Sequence, residues 1–241
     1  MTAARLVRPA LWLACPAVHA AAREMWAAPS LRERYPVYLA AMHALIRTSV
    51  PLLEAAAAAC RGLPAGDPAG DLLAGYFTAH AAEESGHDQW LLEDLAALGV
   101  RRPDSLPDPA SAQDIAALAG AQYYWIHHGH PACLLGYIAV LEGCPPDAVM
   151  VAGLPARTGL PAAGFRTLAW HASQDPAHSR ELARLLERLP LTGEVVAAVA
   201  RNAAWTAMRA AAVLHRLAAE PPASVPRPGL PLPGEPLARR T

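Results

Sequence analysis

The sequence contains no lysine: all twenty cationic side chains are arginine. A Schiff-base lysine, a pyridoxal anchor and a phosphate-loop lysine are thereby excluded. Phenylalanine occurs only twice, and isoleucine and threonine are sparse, so β-strands have little of their usual material. Cysteine is scarce and scattered. Cys15, Cys60, Cys133 and Cys144 form no C-x-x-C pair, which argues against a zinc framework or disulfide scaffold and for free thiols in a reducing cytoplasm. A net charge of −1, with no basic block, argues against nucleic acid or an anionic membrane as partner. No run reads as a membrane span. The stretch Arg5–Ala22 has the outline of a secretion signal, but Pro16 and His19 break its short apolar core, and it reads as a lead into the first helix.

What fills the composition is alanine, the best helix former, in runs such as Ala55–Ala59. The expected fold class is all-α. Pro and Gly divide the chain into about seven helices. They cover Pro16–Ala27, Leu31–Arg61 with a kink at Pro51, Asp71–Leu98 ending at Gly99, Ser111–His128, a segment from Pro131 to Glu142, Ala162–Leu189, and Thr192–Ala219. The stretches 62–70, 101–109 and 145–161 read as loops. Residues 1–220 are expected to form one helical domain, and the Pro-rich 221–241 a disordered tail.

On these helices lies a repeated spacing. His80, Glu84 and His87 recur ninety-one residues later as His171, Asp175 and His178. On one helix, positions i, i+4 and i+7 fall within about 60° of each other, so each triplet projects two imidazoles and a carboxylate from one stripe. With ten His and 21 carboxylates in 241 residues, about 0.04 such triplets are expected by chance. Imidazole with carboxylate is the ligand chemistry of iron, manganese and zinc. Glu142 adds a third carboxylate at the end of the apolar run Leu134–Leu141, where a charge needs a partner. Two carboxylate-x-x-His pairs with further carboxylates are the usual dinuclear arrangement inside helical bundles, and six or more ligands exceed what one zinc needs. The two stripes are expected to face each other across the core and share a pair of metal ions.

The run His80-Ala-Ala-Glu-Glu-Ser-Gly-His-Asp-Gln-Trp90 resembles the signature of the haem-oxygenase-like di-iron oxidases and oxygenases, often called iron-containing redox enzymes. Tyr35, the segment His43–Leu52, Tyr123-Tyr124, Pro131 through Gly136-Tyr137 to Glu142-Gly143, and the second triplet are similar to that family in the same order. The resemblance implies a bundle of about seven helices in the haem-oxygenase-like fold, without haem. It implies Glu84, His87, Glu142, His171, Asp175 and His178 as metal ligands. The family often places another carboxylate where this chain has His80, which therefore counts here as a seventh candidate ligand. Two ferrous ions per chain are implied, with O2 as co-substrate and a small amine, amino acid or carboxylate as substrate, in the setting of natural-product biosynthesis. An electron donor and a homodimer are further expectations. The alternative within this fold is a cofactorless enzyme similar to thiaminase II or pyrroloquinoline quinone synthase. It would need Cys133 or Cys144 as nucleophile and leaves both triplets unexplained.

Other residues carry weaker signals. Tyr123, Tyr124 and Tyr137 lie near the ligand segments in sequence, and Tyr124 is the candidate proton donor. Glu83 and Asp88 could orient ligands by hydrogen bonding. Arg47 and Arg209 are candidates for a substrate carboxylate. His127, His128 and His130 flank a helix break and read as surface or capping residues.

Overall fold

A computed structural model describes residues 4–64, 67–100 and 112–219. The Pro-rich stretch 221–241 and the linker 101–109 lie outside the described residues. Among the described residues ten α-helices follow one another: α1 Ala4–Ala27, α2 Leu31–Ile46, α3 Ser49–Arg61, α4 Gly70–Glu84, α5 His87–Ala97, α6 Ala112–His128, α7 Leu134–Leu141, α8 Ala148–Thr158, α9 Arg166–Arg188 and α10 Gly193–Ala219. Short 3-10 turns at Pro131–Cys133 and Ala162–Phe165 lead into α7 and α9. No strand occurs among the described residues, in line with the all-α expectation.

Several boundaries differ from the sequence reading, each for a local reason. The first helix begins well before Pro16, because Pro9 and Pro16 are both accommodated inside α1. The break in 31–61 falls at Arg47–Thr48, ahead of Pro51, which then sits in the first turn of α3, where its missing N–H has no helical partner to lose. Joined, Leu31–Arg61 is long and apolar enough to cross a membrane by composition, with mean hydropathy 1.2, which corrects the expectation that no run passes that test. In the fold the segment is two helices, and Tyr35, Leu39, Leu52 and Ala56 are among its fully buried core residues. The predicted helix 71–98 is divided at Ser85–Gly86, where Gly86 adopts φ +88°, a left-handed value that a β-carbon disfavours. The predicted loop 145–161 contains α8, whose N-cap Asp147 accepts a hydrogen bond from the Met150 amide at 2.7 Å.

Two close approaches set the frame. α1 packs along α10, and α7 crosses α10 at Gly136, where a β-carbon would overlap the backbone of Val199 and Ala203. Beside that crossing, the buried Asn202 amide of α10 donates to Gln122 Oε1 of α6 at 2.7 Å and to the Cys133 carbonyl at 2.8 Å. This polar tie fixes α6, α7 and α10 in register. The start of α9 is held just as firmly. Asp94 of α5 is 1% exposed, and its Oδ2 accepts from the Thr167 amide at 2.9 Å, capping α9 from a neighbouring helix. Tyr35 of α2 donates to the Gly164 carbonyl at 2.9 Å and stacks on Phe165 at 4.2 Å.

Candidate metal centre

α4, α5, α7 and α9 bring the two triplets and Glu142 together in the interior. His80 and Glu84 occupy the second half of α4, and the turn at Gly86 lets α5 restart with His87 as its first residue. The first stripe is therefore split over two helices, which corrects the single-helix geometry inferred from the spacing. The second triplet lies on the unbroken α9 and keeps that geometry. Glu142 caps the C-terminal end of α7. His80, Glu84, His87, Glu142 and Asp175 are all buried, and His171 and His178 are partly so.

The side chains form linked pairs. His80 Nε2 lies 2.8 Å from Glu142 Oε1, and His178 Nδ1 lies 4.0 Å from the same oxygen. His171 Nδ1 is 3.1 Å from Asp175 Oδ1, and His87 Nδ1 is 3.3 Å from Glu84 Oε2. The His87 and His171 rings are 5.3 Å apart and the His80 and His178 rings 5.9 Å, so each triplet meets the other edge to face. Among the described residues, no three His, Cys or carboxylate side chains converge on one point as a ready ligand set. Each imidazole is drawn to the nearest carboxylate, the favourable arrangement for ionisable groups out of water.

The electrostatics follow from this pairing. Burial pushes the Glu84 carboxyl up, but the close approach of His87 Nδ1 and the nearby His171 and His80 rings together outweigh it and hold the group below its ordinary value. Burial wins at Glu142, whose carboxyl is raised despite His80 and His178, with Asp175 adding repulsion. Burial disfavours the charged form of His80 and His171, yet their carboxylate partners prevail and both are raised. Two buried polar atoms of the cluster, Glu142 Oε2 and His171 Nε2, lack a hydrogen-bond partner, and a third, His87 Nδ1, has only the poorly aligned 3.3 Å approach of Glu84. They come from α5, the end of α7 and α9. Such orphaned atoms in one buried cluster of nitrogen and oxygen donors fit a divalent cation, which would supply the missing partner.

A cavity of about 220 Å³ opens onto the cluster. His80, Glu84, Glu142, His171 and Asp175 line its polar end, and the remaining wall is mostly aliphatic, from Leu39, Met42 and Leu52 to Leu134, Ile138 and Leu214. Among the described residues, no arginine lines it. Arg209 instead pairs with Asp114 at 3.2 Å, and Arg47 is exposed, so neither candidate substrate clamp faces the site. Tyr124 does not join it either, since its side chain is 61% exposed on α6 beside His128. Tyr123 is also exposed, whereas Tyr137 lines the cavity, its buried hydroxyl without a well-aligned partner. Proximity in sequence to the ligand segments did not separate these three tyrosines; the apolar run around Tyr137 was the only signal of its burial. Glu83 lies 3.6 Å from His80 Nδ1, and His130 caps the turn before α7 by accepting from the Ala132 amide at 3.1 Å. Tyr76, which the sequence reading passed over, stacks on His80 at 5.5 Å.

A family model described as iron-containing redox enzyme matches residues 76–212, more than half of the chain and the whole of the cluster. The chain belongs to this family. It also has the haem-oxygenase-like fold expected of the resemblance. It is similar to a solved domain of unknown function with a haem oxygenase-like fold from Shewanella denitrificans, at 18% identity and a TM-score of 0.65, over 89% of this chain and 88% of that one. It is similar as well to a TenA homolog from Pseudomonas syringae pv. tomato, at 13% identity and a TM-score of 0.61, over 86% and 92% of the two chains. No curated protein matches the sequence.

Proposed function

We propose that the protein is an O2-dependent non-haem di-iron oxidase or oxygenase, acting on a small carboxylate, amine or amino acid with an apolar body. The carrying observation is a pair of unpartnered buried ligand atoms, Glu142 Oε2 and His171 Nε2, at the polar end of a mostly apolar cavity. Glu84, His87, Glu142, His171, Asp175 and His178 would hold the iron, with His80 a further donor or the group that orients Glu142 through its 2.8 Å contact. Iron bound there would supply the electrons that reduce O2, chemistry that no side chain offers alone.

The chain's own residues set the conditions. Aliphatic walls exclude water and bind the substrate's apolar part, which directs its polar end toward the cluster. With no arginine among the described wall residues, a substrate carboxylate would find its positive charge at the cluster. His80 and His171 face Glu142 and Asp175, carboxylates that favour their protonated forms, so a cation binding there would compete with those protons. The Tyr137 hydroxyl is the one phenol of the three candidates on the cavity wall, so it replaces Tyr124 as the proton donor in this reading. The cofactorless alternative gains no support from the cysteines. Cys133 is fully buried and does not line the cavity, and the Cys144 sulfur is engaged by Cys15. A cytoplasmic setting, a natural-product pathway and a separate electron donor complete the proposal.

The test is oxygen-electrode measurement on protein loaded anaerobically with ferrous iron, against a panel of apolar carboxylates and amines. Iron-dependent O2 uptake that a panel member accelerates supports the proposal. Iron-loaded protein that consumes no O2 with any of them, while cleaving thiamine, overturns it in favour of the cofactorless reading.

A further inference from the structure

Cys15 of α1 and Cys144, two residues beyond Glu142, are 129 positions apart in sequence, yet their sulfurs lie 2.7 Å apart. Both residues are partly accessible, while Cys60 and Cys133 are buried. Cys144 and Val18, one turn along α1 from Cys15, line the same cavity wall. The pair therefore bridges two elements that nothing in the primary spacing connects. A shift of less than about 1 Å brings the sulfurs to bonding distance.

We propose that Cys15 and Cys144 are an oxidation site, closing into a reversible intramolecular disulfide that latches α1 to the turn carrying Glu142. The oxidant is hydrogen peroxide. Cys144 donates its thiol hydrogen to the Cys15 sulfur, which holds the Cys15 thiol below its ordinary value, so Cys15 meets the oxidant first. Its thiolate attacks the O–O bond, gaining one oxygen as a sulfenic acid and releasing the other as water after protonation. The Cys144 thiol then attacks the sulfenic sulfur and expels a second water. Two thiols lose two electrons and two protons in all, and one peroxide becomes two waters. The other two cysteines are spectators, since burial pushes the Cys60 thiol up to about 12 and also raises Cys133. The consequence is local as well as global. Glu142 and Gly143 separate α7 from Cys144, so the bond restrains the backbone that presents the Glu142 carboxylate. The inference stands whether or not iron binds.

The experiment is thiol titration of the denatured full-length protein before and after brief exposure to hydrogen peroxide, with peptide mapping. A protease that cleaves after Glu142 separates Cys133 from Cys144, which no arginine divides. Four thiols are expected before oxidation and two after, with a single Cys15–Cys144 cross-linked peptide that a dithiol reductant removes. The oxidised protein is expected to melt higher by roughly 5–15 °C, given the length of the closed loop. Amide exchange at residues 142–144 is expected to slow. Cys15→Ser loses both the cross-link and the gain in melting temperature. Four thiols persisting after oxidation, a cross-link to Cys60 or Cys133, or a disulfide-linked dimer would each overturn the proposal, and these readouts on the unsubstituted chain decide it even if Cys15→Ser folds poorly.

Discussion

Removing the carboxylate of Asp94 tests whether α5 and α9 are held in the arrangement that builds the site. Asp94 is 1% exposed, and its Oδ2 accepts from the Thr167 amide at the start of α9. Asp94→Ala deletes a helix cap, worth about 1 kcal/mol, and leaves a buried amide unpaired, worth about 1–3 kcal/mol more. The expected loss is about 2–4 kcal/mol, or roughly 5–15 °C in melting temperature for a chain of this size. Asp94→Asn keeps an acceptor oxygen in the same place and is expected to cost less than about 1 kcal/mol. Burial raises the Asp94 carboxyl against the opposing hydrogen bonds of Thr167 and the Arg166 charge. A raised folded value means that the native state holds this proton more tightly than the unfolded chain. Its contribution is then fullest below the ordinary aspartate range and falls as pH rises through the folded value. Wild-type stability minus that of Asp94→Asn should decline across that window. Thermal melts over a pH series read both effects. Equal losses for Ala and Asn, or a difference that grows with pH, would refute the reasoning.

Two further substitutions probe the backbone. Gly136→Ala drives a β-carbon into the Val199 and Ala203 backbone where α7 crosses α10, and is expected to destabilise by about 1–3 kcal/mol in chemical unfolding. Gly86→Ala meets no neighbour but must keep φ +88°, so an intrinsic cost of about 1–2 kcal/mol is expected. Because His87 follows directly, this variant should also weaken ferrous-iron binding in an anaerobic titration, whereas a purely steric role for Gly86 predicts no change.

The helical class and the cluster's membership were legible because both rest on periodicity. Alanine-rich runs and a repeated His-x3-acid-x2-His spacing carry their information within one helix turn or two. On α9 the inference from spacing to a shared face holds directly. The first triplet comes together by a route the spacing does not show: a left-handed glycine divides the helix, and His87 reaches Glu84 from a new one. α8 was invisible because Pro145, Gly153 and Pro161 read as a loop, while the Asp147 cap and the tolerance of Pro155 inside the helix are decided by geometry. The preference for Tyr124 over Tyr137 failed for a tertiary reason, since which face of α6 meets the core depends on packing against helices far away in sequence. The approach of Cys15 to Cys144 and the 2.8 Å contact between His80 and Glu142 are likewise products of α1, α4 and α7 meeting, with no trace in local pattern.

Iron stoichiometry tests the central claim most directly. Protein reconstituted anaerobically with ferrous iron and freed of unbound metal should retain about two iron atoms per chain, in keeping with paired carboxylate-x-x-His sites. Glu142→Ala, which removes the carboxylate that both His80 and His178 approach, should lower that number while the fold melts as a single transition. A folded wild-type chain that retains no iron, or a Glu142→Ala variant that binds it as fully and as tightly, would contradict the account.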